Sequence, residues 1–224
     1  MRQALGIDTL TGVYSRLARR YDWQHRLLTL ASDQRGRRML VERTVHEGDR
    51  VLDAGAGTGG TALLAARRTG PRGKVTLYDL SDDMLDVARA KAADTRLERI
   101  IEFYSGDMVH LPFPDGCFDA VLSTYSLCPL YAPAKGALEL YRVLRPGGRL
   151  GCAHSVEPEH AAVKWLADQV ENIAWRFPSL SMGCRAVDVL PALQKAGARV
   201  TFIKRIGVPL WPFVVFVVEK PAHA

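Results

Sequence analysis

Short apolar runs alternate with segments of helical period along most of the chain. "DRVLDAGAGTGG" reads as a strand running into a glycine turn, and "TALLAARR" as a helix stopped by Gly70 and Pro71. "KVTLYDLS" is a second strand, after which Ser81 caps a helix over "DDMLDVARAKAA". "RIIEFYSGD" and "FDAVLSTYS" are the third and fourth strands. "APAKGALELYRVL" is a helix ended by "RPGG", and "RLGCAHS" is the fifth strand. Strands and helices in strict turn require right-handed crossovers and a parallel, doubly wound sheet.

The two ends of the chain break this rhythm. Residues 9–44 carry helical spacing, with Leu10, Val13 and Leu17, then Leu27 and Leu30, then Met39 and Leu40. "EHAAVKWLADQVENIAWRF" places Val163, Leu166, Val170, Ile173 and Phe177 on one stripe, predicting a helix with Trp165, Trp175 and Phe177 on or beside it, aromatics that serve either packing or recognition. "AVDVLPALQKAGA" predicts a helix closing at Gly197. "RVTFIKRI" and "FVVFVVEK", joined by the turn-rich "GVPLWP" that holds Trp211, predict an antiparallel pair. "PFVVFVV" is apolar on both faces and is therefore expected inside the sheet. The expected architecture is an α/β Rossmann-like fold with a seven-stranded, mostly parallel sheet and an antiparallel C-terminal strand. Residues 1–44 form an N-terminal helical lid and residues 45–224 the core, with a helical insertion at about 157–180.

Composition adds limits. With 224 residues, 48% of them hydrophobic, the chain can bury one substantial core. No run of eighteen apolar residues is present, and the opening lacks the apolar stretch of a secretory signal. Cys117, Cys128, Cys152 and Cys184 show no metal-type spacing, so free thiols, no metal and a cytoplasmic location are expected. The net charge is +6. Arg16, Arg19, Arg20, Arg26, Arg35, Arg37 and Arg38 stand against only Asp22 and Asp33 over this stretch, a basic arm suited to an anionic membrane surface, an acidic ligand or a solvated helix face. It lacks the interleaved aromatics of a nucleic-acid binder.

The glycine turn allows two cofactors. Gly55, Gly57 and Gly60 fit the dinucleotide pattern GxGxxG, while Asp53, Gly55, Gly57 and Gly59 fit the S-adenosylmethionine (SAM) pattern (D/E)xGxGxG. Asp53, at the end of the first strand, separates them: its carboxylate repels a pyrophosphate and attracts an ammonium and a sulfonium. Asp79, at the tip of the second strand, can accept from ribose hydroxyls of either cofactor. Asp107, after the third, stands where an adenine amino group needs an acceptor, or else caps a local turn.

"VLDAGAGTGG", "LYDLSDDMLDVAR", "GDMVHLPFPDGCFDAVLS" and "LYRVLRPGGRL" resemble, in order and spacing, the successive motifs of class I SAM-dependent methyltransferases. With "YDWQHRLLTLASDQRGRRML" before the core, the chain is similar to the ubiquinone/menaquinone-biosynthesis C-methyltransferases over about residues 12–155. The resemblance implies that Asp53, Gly55, Gly57 and Thr58 hold the methionine moiety, and that Asp79 takes the ribose with Leu80 packed on the base. Asp107 and the backbone of Met108 would read the adenine edge, Thr124 would contact the cofactor, and Tyr21 would lie over it as part of the lid. The chain departs from the subgroup's pattern at His25 (Asn there), Thr29 (Ser), Ala31 (Gly) and Gly36 (Trp). It also has "AHS" where an acidic residue usually ends the fifth strand.

The expected reaction is methylation of a lipophilic small molecule, first a quinone-precursor ring carbon, releasing S-adenosylhomocysteine. A phospholipid headgroup amine or another small-molecule N- or O-acceptor is the alternative. A nicotinamide oxidoreductase and a non-catalytic SAM-binding protein are the readings from other classes. His154, at the end of the fifth strand, is the first candidate for a general base, against a structural histidine at a strand end. His110 is read as structural. Tyr125 and Tyr14 can donate to an acceptor oxygen or belong to the core. A homodimer is compatible with the sequence.

Overall fold

Val51, Leu52, Asp53 and Ala54 are all buried, and these four residues fill β1 (Arg50–Ala54) after its exposed first position. Such a strand needs neighbours on both edges and cover on both faces. β2 (Lys74–Asp79), β3 (Ile101–Ser105), β4 (Phe118–Thr124), β5 (Leu144–Ser155), β6 (Arg199–Val208) and β7 (Trp211–Glu219) complete one seven-stranded sheet of order β3-β2-β1-β4-β5-β7-β6. The first five strands are parallel, and β7 runs antiparallel between β5 and β6. Six consecutive residues of β7 are buried, as its two-faced apolar run requires, whereas edge strand β6 alternates. The computed structural model describes residues 4–30 and 32–222; Ala31, one of the departures noted above, and residues 1–3 of the expected lid lie outside them.

Helices cover both faces. α1 (Ile7–Leu17), α2 (Tyr21–Leu28) and α3 (Ser32–Thr44) precede β1. α4 (Gly60–Thr69), α5 (Asp82–Asp94) and α6 (Pro133–Val143) are the crossovers. α7 (Ala161–Ala174), α8 (Pro178–Ser181) and α9 (Leu190–Lys195) lie between β5 and β6. Ser81 caps α5, its hydroxyl accepting from the Met84 N–H at 3.4 Å. Leu40 and Val41 of α3 pack into the core with Ala62, Leu122 and Val215, so α3 is part of the sheet's covering layer while α1 and α2 sit outside it.

Three local expectations change. The helical span over 9–44 is three helices, with Leu30 in the left-handed region at φ 49°. The helix expected from Ala186 shrinks to Leu190–Lys195, because Pro191 lacks the N–H that a helix interior needs and sits in the first turn. The expected apolar stripe is present on α7 but turned largely outward: Leu166, Ile173 and, just beyond the helix, Phe177 are exposed, and Ala167 is the helix's one buried residue.

Candidate active site

The carboxyl ends of β1, β2 and β4 meet the loops that follow them around a cavity. Its wall includes Gly55, Gly57, Asp79, Leu80, Asp107 and Met108, with Tyr21 and Tyr14 closing it from the N-terminal helices. Gly57 has φ 54°, and a Cβ there would meet no atom within 4 Å. The left-handed backbone and the clear approach together form a cradle into which a ligand reaches the main chain. Gly55 answers a different need: at φ 67°, a Cβ would lie 2.2 Å from the Ser126 Cβ.

Asp79 shapes the cradle. One of its carboxylate oxygens accepts from the Gly57 N–H at 2.7 Å and the other from the Ser81 N–H at 2.9 Å. Burial nonetheless raises its pKa, those backbone donors opposing the shift. Asp107 does two things: it caps its own turn through the Val109 N–H at 2.9 Å, and it accepts from the Tyr131 hydroxyl at 2.7 Å while lining the cavity.

Asp53 is fully buried two residues before Gly55, and neither carboxylate oxygen has a hydrogen-bond partner among the described residues. Burial pushes its pKa up to about 7, with Asp79 adding to the rise and Arg37 opposing it. A buried carboxylate without donors is costly. It fits a cationic ligand in the cradle and disfavours a diphosphate.

Arg37 is the site residue that the sequence did not single out. Six of the seven arginines in the basic arm are exposed, but Arg37 points inward from α3. Its Nη1 donates to the hydroxyls of Thr61 and Thr124, each at 2.7 Å, and its Nε lies 3.8 Å from Asp33. It lines a recess beside Gly55, Gly57 and Thr58. The buried residues of α3 are Asp33, Gly36, Arg37, Leu40, Val41 and Thr44, so Arg37 stands on the helix's inward face.

The lid is fastened to the cradle. Thr58 donates its hydroxyl to Asp22 at 2.6 Å, and Lys91 of α5 pairs with Asp22 while donating to the Thr58 carbonyl at 3.0 Å. Tyr21 stacks on His25 with ring centroids 5.3 Å apart.

A second cavity adjoins the first. Leu28, Val170, Trp175, Trp211 and Phe213 give it an apolar lining, and His25, Thr29 and Tyr125 stand on its cradle side. Tyr125 lines both cavities. It holds φ 60°, a conformation that a bulky side chain rarely adopts, and its hydroxyl donates toward the Asp33 carbonyl at 3.4 Å. Burial raises its pKa, so the phenol stays protonated. Its hydroxyl is engaged with α3, while its ring forms the wall between the cavities.

Gly36 makes this possible. A Cβ at residue 36 would lie 2.4 Å from the Tyr125 hydroxyl oxygen and 3.0 Å from Ile206. Gly36→Ala should therefore destabilise the fold by about 1–3 kcal/mol in urea denaturation. Adding Tyr125→Phe should recover most of that loss, and a strictly additive double variant would contradict the contact.

Several expected residues fall elsewhere. His154 is buried against Phe216, its Nδ1–H donating to the Ser155 carbonyl at 3.1 Å and its Nε2 without a partner. It lines neither cavity; its neighbour Ser155 does. Side chains alternate across a strand, so one residue of register sends position 154 to the opposite face. Trp165 and Phe177 are exposed and outside the apolar cavity, while Trp175 and Trp211, from separate elements, come together in it. Cys128 and Cys184 hydrogen-bond each other, and no group of three or more metal-ligating residues forms among the described residues.

Residues 52–152, which carry the cradle, β2 through β4 and most of β5, match the family described as a methyltransferase domain. Over these residues the chain is similar to methyltransferase domains. The chain is 33% identical over 147 residues to a demethylmenaquinone methyltransferase of Symbiobacterium thermophilum, covering 65% of this chain and 59% of the relative. It is 41% identical over 139 residues to a demethylmenaquinone methyltransferase of Thermus thermophilus, covering 62% of each. The chain thus spans about 60% of the length of these curated relatives. Among solved structures, the geranyl diphosphate C-methyltransferase of Streptomyces coelicolor superposes with a TM-score of 0.69 at 17% identity, covering 84% of this chain and 79% of that one. The [4+2]-cyclase SpnF superposes with a TM-score of 0.68 at 23% identity, covering 86% and 82%. The chain therefore shares its fold with a protein named for a different reaction, and the activity has to be argued from the site.

Proposed function

We propose that the protein transfers a methyl group from SAM to a lipophilic small molecule, with a ring carbon of a quinone precursor as first choice. The observation that carries this reading is the pair of adjoining cavities: one walled by a glycine cradle and two strand-end acids, Asp79 and Asp107, the other apolar, with Tyr125 common to both. The relatives named as demethylmenaquinone methyltransferases support the acceptor class.

In this reading Asp79 accepts from the ribose hydroxyls and Asp107 stands at the adenine edge, with Leu80 and Met108 packing beside the base. Arg37 offers the remaining guanidinium edge to the methionine carboxylate from the recess it lines, and Asp53, buried behind the cradle and lining neither cavity, favours a cationic ligand from that depth. Thr58 keeps Tyr21 and its helix closed over the ligand. SAM supplies an electrophilic methyl carbon. The protein's part is to hold an acceptor about 3–3.5 Å from that carbon and to keep water out. Trp175, Trp211 and Phe213 suit a flat apolar ring.

Incubation with labelled SAM and either a reduced demethylmenaquinone or phosphatidylethanolamine tests the reading. Label in the quinol product supports it; label in the lipid amine alone overturns the ring acceptor. Calorimetric binding of NAD in place of SAM would overturn the methyl donor as well.

We further propose that α2 meets a membrane surface, which a lipophilic acceptor would favour. Trp23, Leu27 and Leu30 are 70%, 58% and 70% exposed, beside the exposed Arg20 and Arg26. No helix among the described residues is long and apolar enough to cross a membrane. The protein should co-sediment with phosphatidylglycerol vesicles and be released by salt, and Trp23→Ala with Leu27→Ala should weaken binding about tenfold or more. Equal binding to neutral vesicles would contradict the electrostatic part.

A further inference from the structure

His25 is buried between the two cavities and is oriented from three sides. Its Nδ1 lies 3.1 Å from a carboxylate oxygen of Asp33, and its ring stacks on Tyr21 and leans on Tyr125 at 5.3 Å. Asp33 is itself fixed: the Thr29 hydroxyl donates to its second oxygen at 2.9 Å, and Arg37 stands 3.8 Å away. Burial works against the Asp33 charge, yet the hydrogen bond from His25, followed by the nearby charges and Thr29, holds its pKa below the usual carboxylate range. An ionised carboxylate only accepts, so Nδ1 carries the proton and Nε2 keeps its lone pair.

That lone pair has somewhere to point. His25 lines the apolar cavity and also the recess beside Gly55 and Gly57, and no hydrogen bond to Nε2 is present among the described residues. His25 is the imidazole that borders both the cradle and the apolar cavity, whereas His154 is turned to the other face of the sheet.

We infer that His25, oriented by Asp33, is the general base for an acceptor in the apolar cavity that has a hydroxyl proton to lose, such as a phenol or hydroquinone ring. This rests on the methyl-transfer reading above. The hydroxyl proton moves to Nε2 as the adjacent ring carbon bonds the methyl carbon. The carbon–sulfur bond breaks and its electron pair returns to sulfur, cancelling the sulfonium charge. The hydrogen on the methylated carbon then leaves as a proton, and the hydroxyl is restored from His25. One proton in all reaches solvent for each methyl transferred. Asp33 is a positioning residue: it holds the tautomer and balances the imidazolium.

The charges around the ring fix the direction of the pH response. Burial lowers the His25 pKa below the ordinary histidine value; Asp33 and Asp22 oppose this and Arg37 adds to it. Tyr21 and Tyr125 face the ring as protonated phenols, and Glu171 and Arg185 stand across the cavity as a pair of opposite formal charge. The base works when neutral, so the rate should rise with pH through a single ionisation below 6.5 and then level off.

Two readouts test this. With 15N-labelled histidine, the Nε2 resonance of His25 should shift when 1,4-dihydroxynaphthalene is added and stay put with naphthalene. With reduced demethylmenaquinone as acceptor, His25→Asn should lower kcat by about 10²–10⁴-fold and abolish the acid limb, while calorimetric SAM affinity stays within about threefold. Asp33→Asn should move the acid limb as well as lower kcat, which a merely structural role would not do. An unmoved Nε2 resonance, or a His25→Asn enzyme that keeps its acid limb, overturns the base. A wild-type protein that binds SAM but leaves the quinol unmethylated overturns the acceptor reading, and the resonance still decides the base.

Discussion

Replacing Asp79 by alanine should weaken SAM binding by about 10²–10⁴-fold in calorimetry. Two effects add. The ribose loses a charged acceptor, and hydrogen bonds to charged groups contribute about 1.5–3 kcal/mol each. The carboxylate also takes the Gly57 and Ser81 N–H groups at 2.7 and 2.9 Å, so the cradle itself loses the group that holds its left-handed turn. Asp79→Asn keeps one carbonyl acceptor but presents a donor on its other side, and should fall between wild type and alanine. A change under about threefold for Asp79→Ala would mean that the cavity does not hold a ribose at this strand end.

Arg37→Met should be the most damaging single change to the fold, costing about 3–5 kcal/mol in urea denaturation. The guanidinium is buried, bonded to Thr61 and Thr124, and stands beside Asp33 and Asp53. Its removal leaves an inward-facing cluster of acids without a cation, and methionine fills only the apolar part of the space. Arg37→Met combined with Asp33→Asn should recover part of the loss, because the second change removes one unbalanced charge. SAM should also stabilise the Arg37→Met protein less than wild type, since binding to the folded state alone raises stability by mass action. If Arg37→Met denatures at the wild-type midpoint, the guanidinium is not the balancing charge of this site.

Three of the departures from the quinone-methyltransferase pattern come together in space. His25 and Thr29 both hydrogen-bond Asp33, and Gly36 leaves the room that the Tyr125 hydroxyl occupies. Packed together, they line the boundary between two cavities.

The order of elements, the placement of glycines and the acids at strand ends were legible because they are local. Period-2 runs and capping residues name strands and helices within a few positions, and β7 could be placed inside the sheet because six successive buried residues need cover on both faces. Asp53, Asp79 and Asp107 followed, since parallel sheets build their sites at carboxyl ends. Where His25, Arg37 and His154 stand relative to the cavities was decided only by the tertiary structure. Arg37 and the exposed Arg38 are neighbours in one basic run, and His154 and the cavity-lining Ser155 are neighbours in one strand. What separates each pair is which face another part of the chain covers. No pattern within a single segment encodes that, because it depends on contacts between residues as far apart as Arg37 and Thr124, and on cavities lined by residues as far apart as His25 and Trp211.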